Sequence, residues 1–426
     1  MTALRHLVHL LRGQWFRRLF AVRVSSQLTD GVFQVALASY VVFSPERAPG
    51  PGAIASALAV VLLPFSVLGP FVGVFLDRWS RRQVLAWSNF VRVGLVAVLA
   101  LAVHADVRGP VLFGLILTCL SVNRFLLAGL SAALPHVVDA DDLITANALT
   151  PTAGTLAFLT GLAVGTGTRI SWERLGVDSD VGVLAFAAVL YAVAGSLALR
   201  IPRDLLGPDL DRVQPAVREA VRHVARGLVD GLRHLGERRP AAYGLTAIGA
   251  HRFFYGISTV SLILLYRSYF HGPGETDAAF TELSVAVLVS GVGFVTAAVL
   301  TPIVTERVPQ RTWVLGLLVG AAMTQIVPGA LYTEPALLVS AFFLGLASQG
   351  IKIVVDTLVQ THVEDAFRGR VFSLYDVIFN VAFVAAAAVG AVALPDDGKS
   401  YVVLSAVAGG YLLTAAWYAR VTRRGR

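Results

Sequence analysis

Residues 73–82 read GVFLDRWSRR, an apolar run that ends in one aspartate and three arginines. Similar apolar runs follow one another from Phe20 to Ala419, each roughly 20 residues long and able to cross the ~30 Å hydrocarbon core of a bilayer as a helix. Most of the 35 Lys and Arg residues fall in alternate gaps between these runs. Because cytoplasmic segments retain positive charge, this alternation predicts a membrane protein of many spans with both termini in the cytoplasm.

The runs predict an all-α polytopic membrane protein with twelve transmembrane helices in two pseudo-symmetric six-helix bundles. One long gap, rich in prolines and followed by an amphipathic helical pattern, separates the bundles. We therefore expect an N-terminal bundle at 1–200 with a short amphipathic N-terminus, a cytoplasmic linker with an amphipathic helix at 201–239, and a C-terminal bundle with a basic tail at 240–426. The predicted spans are 19–43, 53–76, 83–104, 109–133, 145–168, 181–200, 240–268, 280–304, 312–331, 335–358, 371–394 and 400–419.

The two halves also align with each other. Residues 143–165 match 368–390 without gaps in hydropathy and position, although few residues are identical. Paired repeats that enclose a site near the bilayer midplane are common in secondary transporters. The repeat therefore indicates a transporter.

The amino-acid composition excludes other classes of protein. Hydrophobic residues make up 56% of the chain and charged residues 15%, which excludes an ordinary soluble globular protein. The cytoplasmic loops explain the net charge of +8, and without a nucleic-acid-binding motif we expect no nucleic-acid partner. Cys119 stands alone and the histidines lack metal-ligand spacing, so we expect no disulfide, metal or cofactor. The expected partners are a small-molecule substrate, protons and the lipid bilayer, and we expect a monomer in the plasma membrane.

Polar side chains recur in the first, fourth, seventh and tenth predicted spans. In the first span, Arg23, Gln27, Asp30 and Gln34 share one helix face. An ionisable side chain at mid-membrane is costly unless it faces water or a partner, so this recurrence predicts that the four helices line one aqueous cavity. The predicted cavity residues of the other three spans are Asn123, Arg124, Arg252, Tyr255, Gln349, Lys352 and Asp356.

Asp30 is the candidate proton-coupling residue. A carboxylate moved from water to a low-dielectric interior holds a proton more readily, so it can bind and release one near neutral pH. A structural ion pair with Arg23 or another buried cation is the alternative. For Lys352 and Asp356, mutual neutralisation at i, i+4 and a role in transport both remain open.

Two further buried ionisable residues are interpreted as structural. Arg92, in the third span, is expected to pair with Asn89 or with a neighbouring helix. His251, in the seventh span, is expected to be an interior histidine whose hydrogen bonds are satisfied.

Residues 73–82 resemble the signature loop of the major facilitator superfamily: Gly, three residues, Asp, Arg/Lys, any residue, Gly, Arg/Lys, Arg/Lys. Ser80 stands where that pattern has glycine. The stretches HVVDADDLITANAL, from His136, and EDAFRGRVFSLYD, from Glu364, resemble the branch that holds enterobactin exporters and macrolide-efflux proteins. The residues that match the loop pattern are Gly73, Asp77, Arg78, Arg81 and Arg82.

The resemblance implies a major facilitator fold with a cytoplasmic gate at this loop. Asp77 would lie against the N-terminus of the eleventh span, near 369–372, where unpaired N–H groups and the helix dipole favour anions. The fifth span departs from the drug–proton antiporters of the superfamily, which often carry a Gly-Pro pair there. Residues 161–167 hold three glycines, typical of close helix packing, but no proline.

These features predict a secondary active transporter and not an enzyme. The predicted activity is proton-coupled efflux of small amphiphilic or aromatic compounds, drug-like or siderophore-like, by alternating access. Asp30 would take a proton from outside and lose it inward, helped by a nearby cation such as Arg23, Arg124 or Arg252. One alternative is a proton-coupled uptake symporter for an anionic small molecule, favoured by the excess of cavity cations over acids. A membrane-embedded enzyme or a non-transporting scaffold is a remote alternative.

Overall fold

The computed structural model describes residues 8–37, 52, 55, 76, 79–105, 110–176, 178–207, 224–272 and 275–423, and within them all regular structure is helical. In these residues a short helical turn at 8–12 precedes twelve longer α-helices, and a π-helical turn, Leu265–Tyr269, extends the seventh. The helices are α1 (Gln14–Leu37), α2 (Arg81–His104), α3 (Pro110–Ala133), α4 (Leu143–Arg174), α5 (Ser179–Leu199), α6 (Val224–Glu237), α7 (Arg239–Leu264), α8 (Thr276–Thr305), α9 (Gln310–Ile326), α10 (Glu334–His362), α11 (Asp365–Ala393) and α12 (Tyr401–Arg423).

The helices follow the predicted spans. Helix α1 corresponds to the first span, α2 to α5 to the third to sixth, and α7 to α12 to the seventh to twelfth. The second span lies almost wholly outside the described residues. Ten helices, α2 to α5 and α7 to α12, are long and apolar enough to cross a membrane. Helix α1 is less apolar because it carries Arg17, Arg18, Arg23 and Asp30.

The predicted amphipathic segments are described in part. In the turn at 8–12, Leu10 is buried against Phe16 and Leu19 of α1, whereas Val8 and Leu11 are exposed. In the linker, α6 covers 224–237, and 208–223 lie outside the described residues. Arg238, just after α6, pairs with Glu364 at the start of α11 at 2.5 Å.

The helices pack in two groups. Helices α1 to α5 contact mainly one another, with α1 against α4 and α5, and α2 against α3 and α5. Helices α7 to α12 do the same, with α7 against α10, α11 and α12, and α8 against α10. The contacts between the groups run through α4 with α8 and α10, and through α3 with α11.

Glycines set the closest helix crossings in each group. A Cβ atom on Gly31 of α1 would lie 2.0 Å from the carbonyl oxygen of Phe158, and one on Gly161 of α4 would lie 2.0 Å from that of Leu28. In the second group, a Cβ atom on Gly293 of α8 would lie 2.1 Å from the carbonyl oxygen of Phe342 in α10. The backbones therefore touch at these crossings, as small residues allow between membrane helices.

The described segments that connect the membrane-length helices lie at two distinct ends of the molecule. We call one the arginine-rich face; it is formed by 79–82, 134–142, 200–207, 238–239, 306–310 and 363–368. We call the other the opposite face; it is formed by the described parts of 105–110, 175–178, 265–275, 327–333 and 394–400.

Candidate transport site

An arginine from the first group and a carboxylate from the second meet at the arginine-rich face. Arg81, fully buried at the start of α2, donates from Nη1 to Oδ1 of Asp365, at 3.0 Å. The same Nη1 lies 3.0 Å from the carbonyl oxygen of Ala132 and 3.1 Å from that of Leu206. Arg368, one turn into α11, donates to the same Asp365 oxygen at 2.7 Å. One carboxylate thus joins the two groups of helices.

The surroundings of Asp365 favour its ionised form. Burial alone would raise the pKa of Asp365, but His136, Arg81 and Arg368 outweigh it and hold the pKa well below its ordinary value. The His136 Nε2 atom lies 3.4 Å from Oδ1 of Asp365. Gly207, with φ +68°, completes the enclosure, since a Cβ atom there would lie 2.7 Å from His136 Nε2. The ion pair therefore persists throughout the neutral pH range.

A layer of amide hydrogen bonds lies next to this ion pair. Asn147 of α4 donates from Nδ2 to Oγ1 of Thr357, at 3.1 Å, and to Oε1 of Gln360, at 2.5 Å. Gln360 of α10 donates to the carbonyl oxygen of Ser131 at 3.1 Å. All three side chains that cross between the groups are buried. The molecule is therefore closed at its arginine-rich face.

Only part of the predicted gate loop can be compared with this closure. Gly73, Asp77 and Arg78 lie outside the described residues. Arg81 reaches the N-terminal turn of α11, the element that the resemblance assigns to Asp77. Arg82 follows it in the first turn of α2. The sequence analysis did not predict a role for Asp365. Its position just before an apolar run could have indicated a charged group at the end of a membrane helix.

Asp30 lies in a buried polar cluster of the first helix group. Its Oδ1 atom accepts hydrogen bonds from Arg92 Nη1, at 2.6 Å, and from the Tyr191 hydroxyl, at 2.8 Å. Arg92 also donates to Oδ1 of Asn89, at 2.7 Å, and to Oδ1 of Asn123, at 3.2 Å. The expected pairing of Arg92 with Asn89 is confirmed, and Arg92 in addition binds the candidate coupling carboxylate.

The other predicted residues of α1 do not contact Asp30. Arg23 donates to Gln27 at 3.4 Å, one turn away on its own helix. Gln34 is half-buried further along α1. The cation beside Asp30 is Arg92 of α2, so the ion pair with another buried cation that the sequence left open is present. A part for Arg23, Arg124 or Arg252 in releasing the proton stays a prediction.

Arg252 of α7 lies between aromatic rings. Its Cζ atom is 4.1 Å from the ring centroid of Phe379 and 4.2 Å from that of Phe383, both on α11, and 5.4 Å from that of Tyr255. No carboxylate lies within ion-pair distance of Arg252 in the part of the chain that the structure describes. Its charge is stabilised by ring faces and remains available to an anion.

The expectation that the hydrogen bonds of His251 are satisfied is wrong. This side chain is buried, but neither of its ring nitrogens has a hydrogen-bond partner among the described residues. Its ring packs 5.9 Å from that of Tyr255 and 5.6 Å from that of Tyr411. The histidine is therefore held by aromatic packing and not by hydrogen bonds.

The tenth predicted span contributes a second ion pair. Lys352 Nζ lies 2.5 Å from Asp356 Oδ2, and it also lies 5.5 Å from the ring centroid of Tyr375. One turn earlier, Gln349 donates across to Thr152 of α4 at 3.3 Å. The neutralising contact between Lys352 and Asp356 is thus present, while its part in transport stays a prediction.

Among the described residues, one group of potential metal ligands lies close together. Nδ1 of His9 lies 2.8 Å from Oδ2 of Asp142, and ligand atoms of His9, Asp139 and Asp142 all lie within 4.8 Å of one another. The hydrogen bond with Asp142 raises the pKa of His9 above its ordinary value. The contact thereby anchors the helical turn at 8–12 to the start of α4.

The arrangement suits a carrier. Ionisable groups of both helix groups lie within membrane-length helices. In the described residues the two groups touch through few helices, and an ion pair closes one end. A ligand for which the two conformations differ in affinity can shift such a molecule between them. This is the class of a two-lobed membrane transporter.

Comparison with known proteins identifies the family. The chain is 36% identical over 418 residues to an uncharacterised MFS-type transporter of Mycobacterium tuberculosis, with 96% of this chain and 92% of that protein covered. The chain therefore belongs to the major facilitator superfamily (MFS). No family model matches it.

Two more distant likenesses agree with this assignment. Macrolide efflux protein A of Streptococcus pyogenes is 21% identical over 371 residues, which cover 86% of each chain. The structure of a bacterial homologue of the iron transporter ferroportin in an outward-facing state matches with a TM-score of 0.68, 15% identity, and coverage of 96% of this chain and 99% of that one. The all-helical MFS fold and the multi-pass membrane location are confirmed, and the chain is a transporter, not an enzyme.

Proposed function

We propose that this chain is a proton-coupled exporter of small amphiphilic or aromatic compounds that works by alternating access. The observation that carries the proposal is the buried Asp30–Arg92 ion pair, which joins a carboxylate of α1 to a guanidinium of the apolar, membrane-length helix α2. The distant likeness to a macrolide efflux protein supports export of such compounds.

The sidedness is part of the proposal. Cytoplasmic segments of membrane proteins keep positive charge, so the arginine-rich face is assigned to the cytoplasm. The structure then corresponds to a state closed toward the cytoplasm by the pair of Arg81 and Asp365. Opening of that pair, with closure of the opposite face, gives the other state.

Proton coupling is assigned to Asp30. In the closed state the carboxylate accepts hydrogen bonds from Arg92 and Tyr191. Protonation from outside removes the charge that holds Arg92, and the freed guanidinium then changes its partners. A proton that binds the two states unequally shifts the balance between them, which is all that coupling requires.

The test is transport of erythromycin into inside-out proteoliposomes across an imposed pH gradient. The expected result is gradient-driven uptake by the original protein and loss of the pH dependence in Asp30→Asn. Glu364→Gln, which removes an exposed carboxylate at the arginine-rich face, is the matched control and should keep it. Undiminished coupling in Asp30→Asn contradicts the assignment of the residue.

Uptake of an anionic small molecule is the second candidate. Arg252 favours it, because this guanidinium lies within a membrane-crossing helix and has no described carboxylate partner. The two candidate functions differ in the direction of transport. Accumulation of an organic anion in right-side-out vesicles under an inward proton gradient, lost in Arg252→Gln, supports uptake, whereas extrusion under that gradient supports export.

A further inference from the structure

A cavity lies inside the second helix group, among α7, α9, α10 and α12, near the opposite face. The space between its walls, counted together with the solvent at its opening, is about 560 Å³. Its walls are mainly aliphatic; they include Ile257, Leu262, Leu337, Ala341, Leu344 and Val403. Cavities between the helices of a bundle are common places for small-molecule binding.

The polar side chains of the wall make hydrogen bonds within the protein. Ser261 donates to the carbonyl oxygen of Gly398, at 2.8 Å, and Ser340 donates to that of Ala336, at 3.1 Å. Ser258 donates to the carbonyl oxygen of Phe254 at 3.1 Å. With these hydroxyl groups engaged, the interior of the cavity suits an apolar guest.

The mouth of the cavity differs from its interior because charged side chains lie beside it. Tyr332 and Ser400 belong to the lining at this end, and Lys399 adjoins them. The Lys399 ammonium donates to the Tyr269 hydroxyl, at 2.8 Å, and lies 5.4 Å from the ring centroid of Tyr332. The nearby Asp397 carboxylate accepts from the backbone N–H of Lys399, at 3.0 Å.

Lys399 keeps its charge, and the Asp397 carboxylate acts on it from beyond ion-pair distance. No carboxylate lies within 4.0 Å of its ammonium group among the described residues. The hydrogen bond with Tyr269 raises the pKa of Lys399 above its ordinary value, so it stays protonated. Two of its three N–H donors are free of protein partners in the described chain and can meet an anion.

We propose that this cavity binds a single-chain anionic amphiphile, with the alkyl chain among α7, α9, α10 and α12 and the head group on Lys399. The lining runs from Ser400 to Val407 on α12, about 10 Å at 1.5 Å per residue. That depth suits one chain of medium length. The site is separate from Arg252 and Asp30, so it does not depend on the proposed transport reaction.

The experiment uses the full chain in nanodiscs of zwitterionic lipid. The probe is decanoic acid with a photoreactive diazirine at the end of its chain, and labelled peptides are located by mass spectrometry. The expected labels lie deep in the cavity, near Leu344 and Val407. Labels confined to lipid-exposed helix faces or to the residues around Arg252 overturn the proposal.

Two neighbouring valines give a matched pair for the cavity. Val403 lines it, whereas Val402 is 81% exposed on the same helix. Val403→Phe should fill the cavity and abolish the labels there, while Val402→Phe should keep them. Equal labelling of both variants overturns the proposal, and the Val402 variant shows that a phenylalanine in this turn is compatible with folding.

Lysine variants test recognition of the head group. Lys399→Gln should weaken decanoate binding by about tenfold, the effect of one charge-assisted hydrogen bond, and Lys399→Arg should keep it. Decanol, which has the same chain and no charge, should compete poorly. Equal competition by decanol, or full binding by Lys399→Gln, contradicts the anionic head group.

Competition also distinguishes the source of the amphiphile. Decanoate and a lysophosphatidylglycerol of the same chain length both carry the required anion, and both should displace the probe. Stronger displacement by decanoate assigns the site to a free fatty acid. Stronger displacement by the lysophosphatidylglycerol assigns it to a lysolipid. Displacement by neither overturns the proposal.

Discussion

Asp30 and Arg92 form an ion pair in a place where each depends on the other. Both side chains are buried, at 9% and 0% exposure, between α1 and α2. Removing one partner of a buried pair leaves a charge without compensation, whereas removing both can be nearly neutral.

The first prediction follows from this dependence. Arg92→Leu should lower the free energy of unfolding by about 3–5 kcal/mol, and the double variant Asp30→Asn/Arg92→Leu should recover much of the loss. Thermal unfolding in nanodiscs measures both. Arg169→Leu, which breaks an exposed pair with Glu173, is the control and should cost about 0–1 kcal/mol. A double variant as unstable as Arg92→Leu contradicts the pairing.

His9 gives a prediction on pH. Its hydrogen bond with Asp142 raises its pKa, so the stabilising contact is complete below the ordinary pKa of histidine, about 6.5, and is lost as the pH rises through the higher value of the folded protein. Amide exchange in residues 8–12 should therefore accelerate with alkaline pH more than the intrinsic rate does. His9→Gln should show fast exchange at every pH; an unchanged rate in this variant contradicts the anchoring contact.

At this scale the sequence showed which residue types were unusual but not which of them meet. The spacing of Arg23 and Asp30 places them on one face of α1, but seven residues separate them by about 10 Å along the helix. Arg92 reaches Asp30 from another helix, and no pattern within one helix could show that contact. His9 and Asp142 present the same difficulty across an even longer stretch of chain.

Among the helices, the start of α11 determines whether the arginine-rich face stays closed. Asp365 accepts from Arg81 and Arg368, whereas its neighbour Glu364 pairs with Arg238 in an exposed position. The two acids are adjacent in sequence, but only Asp365 joins the two groups of helices, through the buried Arg81.

Asp365→Asn should therefore open this face. A cysteine in place of Thr357, a buried member of the closing layer, reports on it in a Cys119→Ala background. Because this cysteine also removes the hydroxyl that accepts from Asn147, each variant is compared with Thr357→Cys alone. Labelling of the cysteine by a water-soluble maleimide should be several-fold faster with Asp365→Asn, because the amide no longer compensates Arg81. Glu364→Gln is the control and should leave the rate unchanged. Equal rates in the two variants mean that Asp365 does not hold the closure.

Helix crossings give a second prediction at this scale. Glycine at 161 touches the backbone of α1, whereas Gly167, further along the same helix, has no atom within 4 Å of an added Cβ. Gly161→Ala should destabilise the protein by about 1–3 kcal/mol or more, the usual cost of overpacking. Gly167→Ala should be neutral or slightly stabilising, since alanine is the better helix former. Thermal unfolding compares them, and equal effects would contradict the close crossing.

The glycines of α4 show how far the sequence could predict the packing of helices. The run at 161–167 indicated close helix packing, and Gly161 and Gly165 do meet α1. Which glycine faces a neighbour depends on the rotation of α4, and that rotation is set by the partner helices. Apolar length and charge alternation were sufficient for the helices themselves, because the bilayer fixes both.

Over the whole molecule, the two helix groups contact each other through few helices, and their closure is confined to the arginine-rich face in the described residues. If each group moves as one body, opening this face must narrow the opposite one, because the contacts of α4 with α8 and α10 act as a pivot. Separation of two bodies without a pivot would widen both ends. The conformational change therefore has a geometric signature that is independent of the substrate.

Distances between spin labels measure that signature. Labels at Asp204 and Glu237 report on the arginine-rich face, and labels at Leu175 and Val402 report on the opposite face; these side chains are exposed. With Asp365→Asn, the first distance should lengthen and the second should shorten, because the ion pair that favours the closed state has been lost while the pivot remains. Glu364→Gln should change neither. An increase in both distances would mean that the groups come apart, and alternating access would then fail as a description of this chain.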